Sequence, residues 1–412
     1  MGIVIIGNGP AAISAMEAIR TREKDCEIIV ISKEKEPAYT PCFLYRYVSG
    51  EIGKERLYMR AEDFYDKNKI KTVFGVAATE IIPNDKRVGL SDGNEILYDS
   101  LLIAAGAKPV IPKIPGIEGD GVFSFKTVAD ADRILSIAKK SREAVVMGAG
   151  FIGLEIAEAL RRCGLTVTVV EREDRILPRM LDIEVAEIIK KHVQGNGVKI
   201  LTGREVVSIE RDKNNKIKAV VLDKDDTISC DFLIAAVGVR PNLAMLKNGF
   251  INTGQGILVN KNMQTSIPDI YAAGDIAEME VSGIRKINPI HMNATKGGWI
   301  AGCNMTRNMT DMTMGFDAHL EDMNVVTLLG LSVLSHGAQR GGKVIKRQNS
   351  RGLIKIYLKE DDSINGVQII GDVSRGGLYL SLMRKGIPVS EKMDILSAHL
   401  NYGFTLSGIK YL

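Results

Sequence analysis

The chain opens Met1-Gly2-Ile3-Val4-Ile5-Ile6-Gly7-Asn8-Gly9-Pro10-Ala11-Ala12, an apolar, β-branched run that stops abruptly on glycine. Behind the turn, Ile13, Met16 and Ile19 recur at helical spacing, and Ile28–Ile31 begins a second apolar run. Strand, glycine turn, helix and strand make a βαβ unit, whose crossover places the two strands parallel in one sheet. The same order returns at Ala144–Met147, Gly148-Ala149-Gly150-Phe151-Ile152-Gly153, a helix through Leu160, and Val167–Val170. Two copies predict two separate parallel sheets rather than one large one.

Each glycine in these turns has a mechanical task. The first (Gly7, Gly148) permits the tight exit from the strand, and the second (Gly9, Gly150) lets backbone approach a pyrophosphate. The third position (Ala12, Gly153) lets the helix pack close to the sheet. A pyrophosphate then meets the free N–H groups at the helix start, over Pro10-Ala11 in one copy and Phe151-Ile152 in the other. A carboxylate ending the second strand can accept from a ribose hydroxyl. Glu171 fills that post in the second copy, which favours NADH over NADPH because a 2′-phosphate would be repelled. Arg172 beside it is the opposing feature. In the first copy the corresponding position is Ser32, and Glu34 lies two residues further on.

Composition narrows the class. Apolar residues make 45% and charged residues 25% of the 412, ordinary for a globular protein of two or three domains. A net charge of +4 spread over this length argues against a nucleic-acid surface. No apolar run approaches the ~18 residues of a membrane span, and no signal segment precedes Gly7. The cysteines (26, 42, 163, 230, 303) are scattered without CxxC or CxxxxC spacing, so no metal site, iron–sulfur site or disulfide scaffold is expected. A reducing, cytoplasmic location follows as the expectation.

Between and beyond the turns, Asp99–Ala104, Asp231–Val237 and Asp269–Ala273 read as buried strands, and Lys108–Pro115 as a connector. From about Asn324 the texture changes to strands (Val325–Leu331, Gly352–Leu358, Gly366–Ile370) and a helix near Gly377–Lys385, an α+β module.

Five stretches carry a family likeness: Gly7-Asn8-Gly9-Pro10-Ala11-Ala12, Leu102-Ile103-Ala104-Ala105-Gly106-Ala107-Lys108-Pro109, Gly148–Glu155, Ala236-Val237-Gly238-Val239-Arg240-Pro241-Asn242 and Tyr271-Ala272-Ala273-Gly274-Asp275. Together they resemble the FAD-dependent pyridine nucleotide-disulfide oxidoreductases, closest to the NADH–rubredoxin reductase and nitrite-reductase flavin-domain type. The resemblance implies an α/β fold with two Rossmann-like domains. An FAD domain (1–112 and 244–318) is split by an NAD(H) domain (113–243), and a C-terminal α+β interface domain follows (319–412). It implies FAD contacts from Gly7, Gly9, Pro10, Ala11, Ala12, Glu34, Ala77, Ala105, Gly106, Gly274, Asp275 and Asn293. NAD contacts are implied for Gly148, Gly150, Phe151, Ile152, Gly153, Glu171 and Gly238. Ala105 departs from the family's usual threonine, which removes one local hydrogen bond. The helix read over Asn293–Gly302 would point its N-terminus at the flavin, with His291 just before it and read as a packing residue.

Around the flavin, the resemblance places Glu155 beside the ring and aligns Arg46 with the family's cation, so an Arg46–Glu155 ion pair is expected near N5. Cys42 lies where thiol-active branches carry one redox cysteine, but Phe43 follows it where those branches have glycine. It is therefore read first as a small apolar residue. Cys163, Cys230 and Cys303 read as core. Arg340, Lys343, Lys346, Arg347 and Arg351 lie in one acid-free stretch and read first as a solvated loop, second as a docking patch for an acidic redox protein.

The function so implied is FAD-dependent NADH:acceptor oxidoreduction, with hydride transfer to flavin N5. The acceptor is a small iron–sulfur protein such as ferredoxin, a rubredoxin-like protein, or a partner redox subunit. The resemblance allows a homodimer. The alternative is an NADH oxidase or coenzyme A-disulfide-type reductase using Cys42, and a third class is a flavin-bearing interaction protein with negligible turnover.

Overall fold

Both βαβ units form. The computed structural model describes residues 2–247, 249–281, 284–306, 315, 323–349 and 352–389. In chain order the elements used below begin with β1 (Gly2–Ile6), α1 (Pro10–Arg22), β2 (Glu27–Ser32), α2 (Leu44–Val48), β3 (Ile70–Phe74) and β4 (Ser100–Ile103). They continue with β5 (Val122–Phe123), α3 (Val128–Ala138), β6 (Glu143–Met147), α4 (Phe151–Arg162), β7 (Thr166–Glu171) and α5 (Ile183–Gly195). Then come β8 (Phe232–Ala235), β9 (Ile270–Ala272), α6 (His291–Met305), β10 (Asn324–Leu328) and β11 (Leu331–Gly337). The last are β12 (Lys343–Asn349), β13 (Gly352–Leu358), β14 (Ile364–Gly371) and α7 (Gly376–Lys385). The described residues fall into two units, one within Met1–Val170 and Arg204–Glu321, the other within Glu171–Gly203 and Asp322–Leu412.

In the first unit β1 is the centre of a five-stranded parallel sheet, order β9-β4-β1-β2-β3. Its side chains are buried on both faces. Ile3 and Ile5 pack with Ile13, Met16 and Ile19 of α1, while Val4 and Ile6 pack with Leu101 and Ile103 on the other face. That explains a continuous rather than alternating apolar run, as a parallel sheet covered on both sides requires. The second parallel sheet repeats the plan: β6 lies between β7 and β8, and β8 pairs with β5. The expected connector contains a short antiparallel ribbon, Ala107–Pro109 against Val239–Pro241. Val110 N–H donates to Gly238 O at 2.9 Å, and Asn242 N–H donates to Gly106 O at 3.0 Å.

Helices α1 and α6 touch backbone to backbone. A Cβ added to Gly298 would lie 2.0 Å from Ala11 O, and one on Gly302 would lie 2.5 Å from Ala15 O. Only glycine allows that approach.

In the second unit the C-terminal strands form an antiparallel sheet, order β10-β11-β14-β13-β12, with α7 packed on it through Tyr379. The single strand expected over Val325–Leu331 is instead a hairpin. The chain reverses at Leu329 (φ 50°) and Gly330 (φ 85°), two consecutive left-handed residues as a type I′ turn requires. Of the basic run, Lys346 is engaged by Glu184, and Arg351 lies outside the described residues. No helix among the described residues is long and apolar enough to cross a membrane.

Candidate functional site

The two glycine turns superimpose in their mechanics. Gly7 (φ 105°) and Gly148 (φ 97°) leave their strands left-handed, each against the end of the neighbouring strand. A Cβ there would meet Ala104 O at 2.2 Å or Ala236 O at 2.6 Å. At the third position a Cβ on Gly153 would lie 1.9 Å from Gly148 O, whereas Ala12 is fully buried at the same place in the first copy. The second glycines differ in kind: Gly9 and Gly150 have nothing within 4 Å of an added Cβ. Fold packing therefore explains the first and third positions but not the second, which opens onto space at a helix start. Gly9 and Gly150 are also the N-caps of α1 and α4, without side-chain caps, so the first N–H groups of both helices have no partner within the helix. In the first turn Tyr65 Oη donates to Asn8 Oδ1 at 2.9 Å, and Asn8 Nδ2 is buried with no hydrogen-bond partner.

At the end of β2, Glu34 is half-buried and accepts from Tyr39 Oη at 2.7 Å. Burial pushes its carboxyl above the ordinary range, only partly offset by that hydrogen bond. Ala77 has both backbone groups satisfied by Ser91, as donor to Oγ (3.0 Å) and acceptor from N–H (2.8 Å). Its methyl is left to make contacts. Ala105 packs against the apolar cluster of β4, and Gly106 (φ 62°) and Gly238 (φ 120°) have open space above their Cα atoms.

Gly274 (φ 81°) sits between the starts of two helices, its absent Cβ 3.3 Å from Ala11 Cβ and 3.7 Å from Ala294 Cβ. The close crossing of α1 and α6 thus brings both N-termini to one point, with Asp275 beside it. A strand, not a helix, follows Asp275, so it is not a helix cap. Its Oδ2 lies 3.4 Å from Lys126 Nζ. Helix α6 begins at His291, two residues earlier than the helix expected from Asn293; His291 is its first residue rather than its precursor. Burial lowers the His291 pKa, against the pull of Asp275. Asn293 is buried, in the first turn of the helix.

No motif in the sequence marks Lys126, although its neighbours Thr127 and Asp130 form one. Thr127 caps α3 in a capping box with Asp130: Thr127 Oγ1 accepts from Asp130 N–H (3.0 Å), and Asp130 Oδ2 accepts from Lys126 and Thr127 N–H (3.1 Å each). The box fixes the backbone from which Lys126 extends to Asp275.

The expected Arg46–Glu155 ion pair does not form. Arg46, on the short α2, is held by its own neighbours: Nε lies 3.6 Å from Glu51 Oε1 and donates to Tyr45 Oη at 3.2 Å. Its guanidinium also stands 5.5 Å from the Phe43 ring centre. It reaches Glu155 only through its field. Burial first, and the nearby Glu158 charge second, push Glu155 up to about 7, and Arg46 restrains the shift. Cys42 keeps an exposed face, yet the protein packed around its sulfur pushes the thiol above its ordinary value and the Glu155 charge adds to this. Cys230 and Cys303 are buried as expected. Cys163 is not core: it is the exposed C-cap of α4, where Gly164 (φ 90°) ends the helix, and its thiol donates to Val48 O at 3.2 Å.

Glu171 closes β7, is 9% exposed, and accepts from Glu173 N–H at 2.9 Å.

The pyridine nucleotide-disulphide oxidoreductase family model matches residues 1–298, a stretch that holds both glycine turns, Asp275 and the start of α6. The chain belongs to that family. The NADH oxidase of Methanocaldococcus jannaschii is 33% identical over 428 aligned positions, covering 96% of this chain and 90% of the relative. The epsilon subunit of the NADH-dependent phenylglyoxylate dehydrogenase of Aromatoleum evansii is 30% identical over 392 positions, covering 92% and 90%. The crystal structure of NADH:rubredoxin oxidoreductase from Clostridium acetobutylicum matches with a TM-score of 0.78 at 29% identity, covering 96% of this chain and 99% of that one.

As a member of this family the chain is an FAD-dependent NAD(P)H oxidoreductase. The residues present fit the flavin dinucleotide. An uncapped helix start opens beyond Gly9, Asn8 Nδ2 is left without a partner beside it, and a second helix start converges on Gly274. The turn at Gly150 offers a second dinucleotide the same open glycine and uncapped helix start.

Proposed function

We propose that this oxidoreductase takes electrons from NADH and hands them to a small one-electron protein, rubredoxin-like or iron–sulfur, or to a partner redox subunit. The observation that carries this reading is Cys42. Its thiol is held protonated in the company of Glu155 and Asp275, with no second cysteine in its segment, so it is a poor relay to a disulfide. Electrons then leave without a thiol step, as suits a protein acceptor; relatives named for rubredoxin reduction and for a dehydrogenase subunit support this.

FAD, when bound, supplies the conversion between a two-electron hydride donor and a one-electron acceptor. The chain's residues do the rest. The α1 start beyond Gly9 binds one pyrophosphate, and the α4 start beyond Gly150 binds the other. Glu34 and Glu171 accept from the riboses, Glu171 selecting NADH. Lys126 orients Asp275 toward the ribityl chain. Glu155 exchanges a proton near neutral pH beside the ring, its affinity held in check by the Arg46 field. The domains expected from the resemblance (1–112 with 244–318, 113–243, and 319–412) are assigned on the same reading, as is a cytoplasmic location.

An acceptor panel tests this, run anaerobically except where oxygen is itself the acceptor. Purified holoprotein with NADH should reduce rubredoxin or a ferredoxin faster than oxygen or coenzyme A disulfide. Faster oxygen turnover would favour the oxidase reading, to which the 33% identity with a protein named NADH oxidase lends weight.

A further inference from the structure

The segment that follows Glu171 is folded tightly, with Arg175 donating to Leu181 O and to Pro178 O at 3.2 Å each. Leu177 is buried in the left-handed region (φ 47°), and Met180 and Leu181 N–H both donate to its carbonyl at 2.9 Å. A leucine in that conformation persists only where its surroundings over-determine it. The residues that follow it are held by the C-terminal sheet. Met180 O accepts from Ser335 Oγ at 2.7 Å and from Gln368 Nε2 at 3.1 Å, both side chains buried. One residue past Leu181, Asp182 caps α5 by accepting from Val185 N–H at 2.8 Å, and its carboxylate also takes Lys355 Nζ and Tyr357 Oη. Lys355 Nζ reaches on to Glu184 at 3.0 Å, and Tyr357 Oη lies 3.3 Å from Gln368 Oε1. The 172–184 segment is therefore tied at both a carbonyl and a helix cap by side chains from β11, β13 and β14.

An 8% exposed lysine between two carboxylates is costly to bury and adds little net stability when paired. What such a network does well is fix one geometry. Glu173 N–H holds the Glu171 carboxylate at the opposite end of the same segment, where Glu173 O accepts from Gly203 N–H at 2.8 Å.

We propose that Lys355 and Ser335, with Gln368 and Tyr357, are positioning residues for the adenosine end of the nicotinamide dinucleotide: the C-terminal sheet holds the 172–184 segment, and through it the Glu171 carboxylate, in the pose that receives a ribose. This rests on the reading of Glu171 as ribose acceptor. The C-terminal module then tunes dinucleotide affinity as well as serving any interface of its own.

ADP-ribose, which carries the adenosine end without the reactive ring, is the probe, titrated calorimetrically into FAD-loaded protein. Lys355→Met should weaken ADP-ribose about tenfold and the milder Ser335→Ala about threefold, with Lys355→Arg restoring most of the loss. Steady-state NADH kinetics should show the same rise in KM, with kcat at saturation within about twofold, a split that general loss of fold would not give. Limited trypsinolysis after Arg172, Arg175 or Arg179 should accelerate in Lys355→Met without any ligand present. Unchanged ADP-ribose affinity in both Lys355→Met and Ser335→Ala, while Glu171→Ala weakens it, would overturn the inference and leave the ribose reading standing. Unchanged affinity in Glu171→Ala would remove the ribose reading and the inference with it. Should Lys355→Met not fold, Ser335→Ala decides alone.

Discussion

Lys126 extends from a capping-box backbone to within 3.4 Å of Asp275, Nζ to Oδ2, and the two side chains are only 26% and 22% exposed. The pair joins the start of α3 to the turn where α1 and α6 converge. Half-shielded pairs of this kind contribute on the order of 1 kcal/mol to folding, so removing the cation should barely move stability. Its larger effect is on the carboxylate that the bound FAD would meet. Lys126→Met should unfold within about 1 kcal/mol of the parent yet hold FAD about tenfold less tightly, read by flavin fluorescence on titration into apoprotein. Equal FAD affinity would show that Asp275 needs no such partner.

Glu155 supplies a pH prediction whose sign follows from burial. Its carboxyl sits near 7 in the fold against 4.5 when unperturbed, so the folded chain holds this proton more tightly than the unfolded one. The stability linked to that proton is present in full below about pH 4.5 and is lost as pH rises through 7. Above that the half-buried carboxylate destabilises the apoprotein by on the order of 3 kcal/mol at most. Glu155→Gln should therefore be the more stable protein at pH 8 by urea unfolding, with the gap closing toward pH 5. Arg46→Met removes the field that restrains the shift, and should move any pH break in NADH oxidation near 7 upward. Parallel stability curves for parent and Glu155→Gln would exclude the shift.

Glycine marks two physically different demands, and substitution separates them. Gly9 has open space where a Cβ would go, whereas at Gly298 a Cβ would lie 2.0 Å from a backbone oxygen of α1. Gly9→Ala should stay within about 1 kcal/mol of the parent in unfolding but lose FAD binding by tenfold or more, because the methyl occupies the approach to the pyrophosphate. Gly298→Ala must force α1 from α6 and should cost about 3 kcal/mol or more, visible as a fall in Tm of the apoprotein. A Gly9→Ala protein that binds FAD normally would remove the dinucleotide from that turn.

The same contrast explains what could be read from the chain before its fold was known. Gly7, Gly148 and the apolar runs before them obey local rules: strand, turn and helix are encoded within thirty residues, and a buried parallel strand leaves no polar face to confuse the pattern. The Lys126–Asp275 pair joins positions 149 residues apart, and no periodicity connects them. Arg46 misled for the opposite reason. Its expected partner was distant, and the near competitors Glu51, Tyr45 and Phe43, five residues or fewer away, held the guanidinium instead. The hairpin at Leu329-Gly330 was hidden because leucine is a rare occupant of the left-handed region, so only the glycine hinted at a turn.

Cys42 decides between the two enzymatic readings. A thiol pushed above its ordinary value by burial and by the Glu155 charge is a feeble nucleophile at neutral pH. Serine in its place preserves size and polarity, so Cys42→Ser should keep its yellow colour, unfold within about 0.5 kcal/mol of the parent, and reduce a rubredoxin-type acceptor at an undiminished rate. Iodoacetamide should label the exposed Cys163 faster than Cys42 at pH 7, followed by peptide mass mapping, since the carboxylate that opposes ionisation of Cys42 has no counterpart at Cys163, where desolvation acts alone. A Cys42→Ser protein that still binds NADH but has lost turnover would establish a thiol step and hand the assignment to the NADH oxidase or coenzyme A-disulfide-type reading.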